Sequence, residues 1–249
     1  MKLFPKVAGL FSAILIVLTT GICVPAYSDD LTQQARLEMI RIIEQDVRET
    51  SLELNKSELD PRVLEAMAIV PRHEFVPAED KSNAYDNRPL PIGHGQTISQ
   101  PYIVAVMTDM LNLKADSKVL ELGTGSGYQA AILGELVSKV YTIEIVEPLG
   151  LQARKRLQRL GYDNVMTKVG DGYYGWQEHA PFDAIIVTAA ASHIPPPLIK
   201  QLKPGGRMVI PVGSRFMMQQ LLVVDKHDDN KIVSKQVLPV VFVPVTGKH

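Results

Sequence analysis

The stretch VLELGTGSGYQAAIL, residues 119–133, places a short apolar run before three closely spaced glycines and a second apolar run. The first run is typical of a strand buried on both faces, and the second is interpreted as a helix. Glycines at Gly123, Gly125 and Gly127 let the backbone approach a ligand, and the N-terminus of the helix favours negative groups. Such a turn is weak evidence alone, so its meaning depends on the surrounding pattern.

The residues downstream continue the alternation of short apolar runs and helical stretches. The runs are KVLEL, KVYTIEI, NVMTKVG, FDAIIVTAA and GRMVIPVG, and this alternation predicts a parallel sheet covered by helices. In the tail, QLLVVDK and VLPVVFVPV (residues 220–226 and 237–245) are separated by polar residues, which predicts an antiparallel pair at the sheet edge. We therefore place one α/β domain over residues 80–249.

Residues 29–79 are predicted to form an N-terminal helical cap on that domain. A second helix within this cap is expected after Asp60-Pro61, where Asp caps and Pro opens the first turn, and Pro71 ends it. In the first helix, apolar residues recur at helical spacing at Leu31, Ala35, Met39, Ile43 and Val47.

A loop-rich connection, EFVPAEDKSNAYDNRPLPIGHGQ, follows the second helix at residues 74–96. Its many Pro, Gly, Asn and Asp residues exclude long regular structure, and loops of this length in compact domains are usually functional or disordered. Pro101 suits the first turn of a helix over residues 103–111. The TIS triplet at residues 97–99 would then lie at the mouth of that helix, although a plain polar turn is the alternative.

The composition limits the classes of function. The 249 residues are 46% hydrophobic and carry a formal net charge of -1. This suits one sizeable domain and argues against a broad nucleic-acid-binding surface. The single cysteine, Cys23, lies in the N-terminal segment, so no intrachain disulfide is expected after that segment is removed. The six histidines show no metal-ligand spacing, and we predict no metal site.

The first 28 residues have the pattern of a secretory signal. Lys2 and Lys6 precede an uncharged segment, and Ala26 and Ser28 stand three residues and one residue before the expected cleavage point. We therefore expect a periplasmic or otherwise exported protein. The alternative is an uncleaved membrane anchor, because the apolar run is of borderline length for spanning a bilayer.

Three acidic residues stand at the predicted carboxyl ends of the first three strands of the α/β domain. Glu144 could accept hydrogen bonds from ribose hydroxyls, Asp171 could contact an adenine amino group, and Glu121 could face a cationic amino group. The alternatives are, in the same order, a solvated loop acid, a turn residue and a buried acid that caps backbone amides.

The spacing of the glycines helps to choose between nucleotide ligands. Tyr128 stands where the dinucleotide fingerprint needs a third glycine, and no Gly-Lys-Ser/Thr phosphate loop occurs. Three acids around a glycine-rich turn suit a nucleoside that lacks phosphates and carries positive charge. We therefore favour S-adenosylmethionine as the cofactor over a ligand with a pyrophosphate.

Several motifs resemble those of one enzyme family. VLELGTGSGYQAAIL, KVYTIEI, GDG and FDAIIVTAAA resemble the motifs of class I methyltransferases. VPRHEFVP, PLPIGHGQTISQP, LKPGGRMVIPVG and VFVPVT resemble, more narrowly, the protein-L-isoaspartate O-methyltransferase family. The resemblance runs from about residue 35 to residue 246. TISQP is its most specific element, because general methyltransferases lack it.

The resemblance implies a doubly wound, mostly parallel sheet of the Rossmann-like methyltransferase type with added antiparallel C-terminal strands. It matches Ser99 to the family's active-site serine, and it places Thr97 and Ser99 in a loop that lines the substrate and the cofactor. The cofactor-binding residues that we assign on these motifs are Gln96, Thr97, Glu121, Gly123, Gly125, Gly127, Glu144, Asp171, Gly172 and Thr246.

The activity that the resemblance implies is methyl transfer from S-adenosylmethionine to the free carboxylate of L-isoaspartyl residues in damaged proteins and peptides. A carboxylate is ionised at neutral pH, so no strong general base is needed and none is evident. A closed site needs neutral donors that hold the anion, and the hydroxyls of Thr97 and Ser99 are small donors of this kind. The methyl ester is expected to collapse to a succinimide, which starts the repair.

Two alternative functions remain open at this point. One is an S-adenosylmethionine-dependent methyltransferase of another carboxylate or of a small molecule, and the other is a cofactor-binding module without turnover. The family is usually cytoplasmic, which conflicts with the N-terminal signal. We expect a monomer that acts on isoaspartyl-containing proteins and peptides, with no nucleic-acid partner and no stable membrane partner unless the signal stays uncleaved.

Overall fold

The computed structural model describes residues 26–214 and 218–247, with side chains from residue 32 onward. The α-helices are α1 (Ala26–Glu49), α2 (Ser51–Leu54), α3 (Pro61–Ile69), α4 (Pro101–Met110), α5 (Tyr128–Leu136), α6 (Glu147–Arg159) and α7 (Pro196–Gln201). The strands are β1 (Leu90–Gly93), β2 (Gln96–Ile98), β3 (Lys118–Leu122), β4 (Lys139–Glu144), β5 (Val165–Val169), β6 (Phe182–Val187), β7 (Leu202–Val212), β8 (Gln219–Lys226) and β9 (Ile232–Val240). Short 3₁₀ helices cover Arg72–Glu74, Ala78–Asn83, Gly172–Tyr174 and Gln177–His179.

Seven of the strands form one sheet in the order β5-β4-β3-β6-β7-β8-β9. The strands from β5 to β7 in this order are parallel, and β8 and β9 pair in antiparallel fashion. The predicted fold class, a doubly wound and mostly parallel sheet with antiparallel C-terminal strands, is therefore confirmed.

The central strands are apolar on both faces, as their continuous apolar runs predict. In β3, Val119 packs into one hydrophobic core, whereas Leu120 packs into a second core on the other face of the sheet. In β6, Ile186 and Ile185 divide in the same way. Because successive side chains of a strand point to opposite faces, the sheet must be covered on both sides.

The N-terminal helices α1 and α3 pack against α4 and α5. Asp60 caps α3 as predicted, since its side chain accepts a hydrogen bond from the backbone amide of Arg62 at 2.9 Å. Met39 and Ile43 of α1 are fully buried in the same core as residues of α4 and α5. The expected helices are confirmed. The proposed domain boundary between residues 79 and 80 stays a prediction, and the hydrophobic core contains residues from both sides of it.

The loop-rich connection contains a short antiparallel hairpin that the sequence pattern did not predict. β1 pairs with β2 so that Leu90 lies opposite Ile98, and both side chains are buried. The helix expected after Pro101 is α4, which begins three residues after β2 ends. The TIS triplet therefore covers the end of β2 and the residue after it, close to the N-terminus of a helix, as expected.

The last strand begins five residues earlier than the sequence pattern predicted. The prediction of residues 237–245 is wrong, since β9 covers Ile232–Val240. Its polar first half pairs with β8 because an edge strand leaves one side in contact with solvent, and these residues are exposed. The apolar residues that follow turn back toward the parallel strands, where the backbone amide of Val245 donates to the carbonyl of Ala190 at 2.8 Å.

The proposed signal segment lies outside the described residues except for its last three, which belong to α1. In the part of the chain that the structure describes, no helix has the length and apolar character needed to cross a bilayer. The signal and its cleavage point stay predictions.

Candidate active site

A cleft opens at the carboxyl ends of β3, β4 and β6, beside the hairpin. Strands that follow β3 are added first on one side of it and then on the other. This is the switch point at which open α/β sheets bind ligands. The cleft brings together eight of the predicted site residues, namely Gln96, Thr97, Ser99, Gly123, Gly125, Glu144, Gly172 and Thr246.

Two hydroxyl side chains, those of Thr97 and Ser99, line the cleft from the hairpin side. Ile98 between them is buried in the core. Since side chains alternate along an extended chain, its two neighbours point the other way. Within the described residues, neither hydroxyl is engaged in a hydrogen bond. Both are therefore available to donate to a ligand.

Gly123 forms the floor of the cleft where β3 ends. Its φ of +95° lies in the region that favours glycine, and an added Cβ would lie 2.5 Å from Oγ1 of Thr188. That hydroxyl donates to the backbone carbonyls of Leu122 and Gly123 at 2.9 and 2.7 Å. The ends of β3 and β6 are thus joined at a point where a side chain does not fit.

Glu144 ends β4, and its two carboxylate oxygens accept hydrogen bonds from two backbone amides, one of them in the glycine loop. Oε2 accepts a hydrogen bond from the backbone amide of Gly125 at 2.7 Å, and Oε1 accepts one from that of Val146 at 2.8 Å. Glu144 is only 5% exposed, yet it lines the cleft. Each oxygen keeps a second lone pair for ligand hydroxyls. The alternative of a solvated loop acid is therefore wrong.

Glu144→Gln is expected to weaken binding of S-adenosylhomocysteine about tenfold, because an amide must turn its NH₂ group toward one of these two backbone donors and loses a charge-assisted bond. Isothermal titration calorimetry measures the effect. Glu147→Gln serves as the control, since Glu147 is exposed at the start of α6. Equal affinities of the two variants would contradict the role given to Glu144.

Gly127 and Asp171 support the cleft without lining it. Gly127 precedes α5, and an added Cβ would lie 3.3 Å from the side chain of Leu157 in α6. Asp171 accepts a hydrogen bond from the backbone amide of Tyr173 at 3.0 Å, as a turn residue does, beside Gly172, which lines the cleft. Direct contact of Gly127 or Asp171 with the cofactor stays a prediction.

Glu121 lies in the core of the sheet and does not line the cleft. It shares a face of β3 with Val119, is fully buried, and has no hydrogen-bond partner for either carboxylate oxygen among the described residues. Burial raises the pKa of Glu121 to about 8, so the side chain is mostly protonated at neutral pH. It does not cap backbone amides, and its contact with a cationic amino group stays a prediction.

Glu121→Gln is expected to flatten the dependence of stability on pH. The folded-state pKa lies above the unfolded value, so the contribution of Glu121 to stability is fully present below about pH 4.5 and is lost as the pH rises through about 8. One proton bound only in the folded state gives a slope of about 1.4 kcal/mol per pH unit.

Urea unfolding of the cofactor-free protein at pH 5 and pH 8 measures this slope. Glu65→Gln on the exposed face of α3 is the matched control and should keep the wild-type slope. The same slope in Glu121→Gln and in wild type would show that Glu121 titrates normally.

Several residues of the cleft lining are not among the predicted site residues. Thr188 follows β6 and Ile145 follows β4, and their place at the carboxyl ends of parallel strands is a signal that indicates them. Residues 243–245 also line the cleft, and their backbone hydrogen-bonds with that of Ala190. This long-range contact, which no local pattern indicates, brings Thr246 to the cleft.

The groups around the cleft fit a nucleoside without phosphates. Glu144 is the only charged side chain among the described residues that line it, and the other walls are glycine backbone, uncharged polar groups and apolar side chains. A carboxylate with free lone pairs suits ribose hydroxyls and would repel phosphates. Across the described ranges, no cluster of His, Cys, Asp or Glu could hold a metal ion. The fold and this cleft define a class I S-adenosylmethionine-dependent methyltransferase.

The family model for protein-L-isoaspartate(D-aspartate) O-methyltransferase matches residues 48–249. The chain belongs to this family, and the resemblance seen in its motifs is confirmed. A relative from Syntrophobacter fumaroxidans, protein-L-isoaspartate O-methyltransferase 2, is 61% identical over 245 residues, which cover 98% of this chain and 99% of that protein.

Two solved structures have the same fold. A protein-L-isoaspartate O-methyltransferase is 27% identical with a TM-score of 0.75, and the match covers 85% of this chain and 66% of that one. A structure from Plasmodium falciparum described as a protein-L-isoaspartate O-methyltransferase, in complex with S-adenosyl-L-homocysteine, is 25% identical with a TM-score of 0.67 over 82% of this chain and 96% of that one. The predicted cofactor class is confirmed.

Proposed function

We propose that this protein transfers a methyl group from S-adenosylmethionine to the free carboxylate of L-isoaspartyl residues in damaged proteins and peptides. The observation that carries this proposal is a shared cleft. The unbonded hydroxyls of Thr97 and Ser99 line it from the hairpin, and Glu144 lines it with the glycine loop. A methyl acceptor held by the hydroxyls therefore adjoins a nucleoside held by the loop.

The residues of the cleft bind and orient the acceptor and do not need to activate it. S-Adenosylmethionine, when bound, supplies an electrophilic methyl group on a sulfonium. The acceptor carboxylate is already ionised near neutral pH, so no proton has to be removed. The hydroxyls of Thr97 and Ser99 can each donate one hydrogen bond to it. Because the negative charge fades in the transition state, neutral donors favour the reactant less than a direct ion pair would.

Orientation is the main contribution that this geometry makes to the rate. Well-aligned groups in one site react with effective molarities on the order of 10⁵ M or more. Ser99 is held between β2 and α4. Rigid elements on both sides of Ser99 therefore fix the donor in place.

A groove beside the cleft gives the acceptor chain a place to lie. It shares Thr97, Ser99, Thr188 and Val243 with the cleft, so a segment in the groove can present its carboxylate to the hydroxyls. The ester that forms is attacked by the following backbone amide nitrogen, and methanol leaves to give a succinimide. Hydrolysis of the ring returns part of the material as normal aspartate.

A panel of matched peptides tests the proposed substrate. Peptides that differ only in an isoaspartyl, a normal aspartyl or an asparaginyl residue are incubated with radiolabelled S-adenosylmethionine, and label incorporation is measured. We expect methylation of the isoaspartyl peptide alone. Equal labelling of isoaspartyl and aspartyl peptides would indicate a general carboxylate methyltransferase, and cofactor binding without any labelling would indicate a non-catalytic module.

We also propose that the protein is exported as a monomer after residues 1–28 are removed. The alignment with the Syntrophobacter relative covers 98% of this chain, so it includes most of this segment, and the charge pattern of the segment supports a signal. Cell fractionation with N-terminal sequencing tests the export, and light scattering tests the oligomeric state. A cytoplasmic protein that keeps residues 1–28 would contradict the export.

A further inference from the structure

A buried arginine lies directly behind the loop that carries Ser99. Arg72 belongs to the 3₁₀ helix after α3, and its side chain is completely inaccessible to solvent. Nη2 donates to the backbone carbonyl of Ser99 at 2.7 Å, and Nε donates to that of Ala84 at 2.8 Å. One guanidinium therefore connects the loop of the active serine to the segment before the hairpin.

The positive charge of Arg72 is not neutralised by a neighbouring acid. Among the described residues, no carboxylate forms an ion pair or hydrogen bond with it, and its Nη1 has no hydrogen-bond partner. Burial lowers the pKa of Arg72 to about 10, so it stays charged at neutral pH. An unpaired buried charge is unfavourable for folding, which suggests a use of another kind.

The same guanidinium also contacts the cofactor side of the cleft. Its central carbon lies 4.8 Å from the ring centre of Tyr128, the first residue of α5 after the glycine loop. Both Ser99 and Tyr128 line the cleft. Arg72 thus lies where the acceptor loop and the glycine loop meet, behind the walls and out of contact with any ligand.

We infer that Arg72 is a positioning residue for the methyl acceptor: it fixes the Ser99 backbone, and its charge makes this wall of the cleft favour an anionic acceptor. The inference rests on the proposed function. Because the carboxylate loses its charge during methyl transfer, a cation behind the wall assists acceptor binding more than it assists turnover. Arg72 is therefore expected to act mainly on KM, because β2 and α4 still hold Ser99 when Arg72 is replaced, whereas Ser99 acts on kcat.

Arg72→Met tests the inference, because methionine keeps much of the volume and removes the charge and the fork. We expect KM for an isoaspartyl peptide to rise at least tenfold, kcat to change less than threefold, and the Kd of S-adenosylhomocysteine to stay within twofold. The variant should still fold, because removing an unpaired buried charge offsets part of the cost of losing the hydrogen bonds to the carbonyls of Ser99 and Ala84.

Two further variants make the result specific. Arg72→Lys keeps the charge and loses the two-carbonyl fork, so its KM should lie between those of wild type and Arg72→Met. Arg207→Met is the matched control. Arg207 also donates a hydrogen bond to a backbone carbonyl, that of Met110, which lies at the end of α4 away from Ser99. Its charge is paired with that of Asp225. Its loss should leave the peptide KM unchanged.

The outcomes separate this inference from the proposed function. Wild-type protein that does not methylate isoaspartyl peptides would overturn the proposed function itself. With active wild type, a folded Arg72→Met of unchanged KM would overturn the role of Arg72. Equal losses of affinity for the peptide and for S-adenosylhomocysteine would also overturn the role of Arg72, because they would indicate a packing role. If Arg72→Met does not fold, Arg72→Lys decides by the same comparison of peptide KM with S-adenosylhomocysteine affinity.

Discussion

Ser99→Ala is expected to lower kcat/KM for an isoaspartyl peptide about 10²-fold, which is the usual effect of removing one donor from a preorganised site that holds a charged group. Most of the loss should appear in kcat, because the acceptor is no longer held in line. The Kd of S-adenosylhomocysteine should stay within twofold, since the glycine loop and Glu144 are unchanged. Steady-state kinetics and calorimetry measure the two quantities.

Ser138→Ala is the matched control for this variant. Ser138 directly precedes β4, at the amino end of the parallel strands, and its hydroxyl donates to the carbonyls of Asp116 and Ser117, both at 3.2 Å. Removing it deletes a hydroxyl of the same type far along the strands from the cleft, and turnover should be unchanged. Wild-type turnover in Ser99→Ala would remove Ser99 from the mechanism.

Gly123→Ala should weaken binding of S-adenosylhomocysteine about 10²-fold and destabilise the fold. Two effects add. A φ of +95° is unfavourable for any side chain by about 1–3 kcal/mol, and the new Cβ would lie 2.5 Å from Oγ1 of Thr188. Relieving that overlap displaces the hydroxyl from the carbonyls of Leu122 and Gly123, so the floor of the cleft must shift. Calorimetry measures the affinity, and urea unfolding measures the stability.

Gly161→Ala separates the backbone effect from the steric one. Gly161 has a similar φ of +83°, but an added Cβ would have no neighbour within 4 Å. This variant should show only the conformational penalty and should bind S-adenosylhomocysteine with wild-type affinity. If both variants bind and unfold alike, the contact with Thr188 is not what requires glycine at position 123.

The sequence predicted the architecture well where the signal is local. The strand KVLEL and the helix after Pro101 appear at or within a few residues of their expected positions, because apolar periodicity and proline geometry act over neighbouring residues. The C-terminal strand was wrong for the same reason. The apolar residues 237–245 have the local pattern of a strand, but pairing at the sheet edge depends on which segment lies beside β8. The segment that lies there begins with the exposed residues 232–236.

The candidate site was predictable in its composition and less so in its geometry. The motifs TISQP and GTGSG identify Ser99 and the glycine loop, and the cleft contains both. The predicted position at the carboxyl end of a strand did not distinguish the environment of Glu121 from that of Glu144. Glu144 lines the cleft and bonds the loop, whereas Glu121, two residues before Gly123, is buried without a partner. Glu121 pairs with Thr142, so both acids point to the same face of the sheet, and Glu144 differs because it lies two residues nearer the carboxyl edge where the cleft opens.

The chain itself determined the order of helices and strands, the glycine turn after β3 and the hydroxyls beside Pro101, because these depend on residues close in sequence. Only the tertiary structure decided which distant groups meet. Arg72 reaches the carbonyl of Ser99 across 27 residues, and residues 243–245 return to β6 to complete the cleft. Such contacts depend on how whole elements pack, and a pattern of neighbouring residues carries no information about that packing.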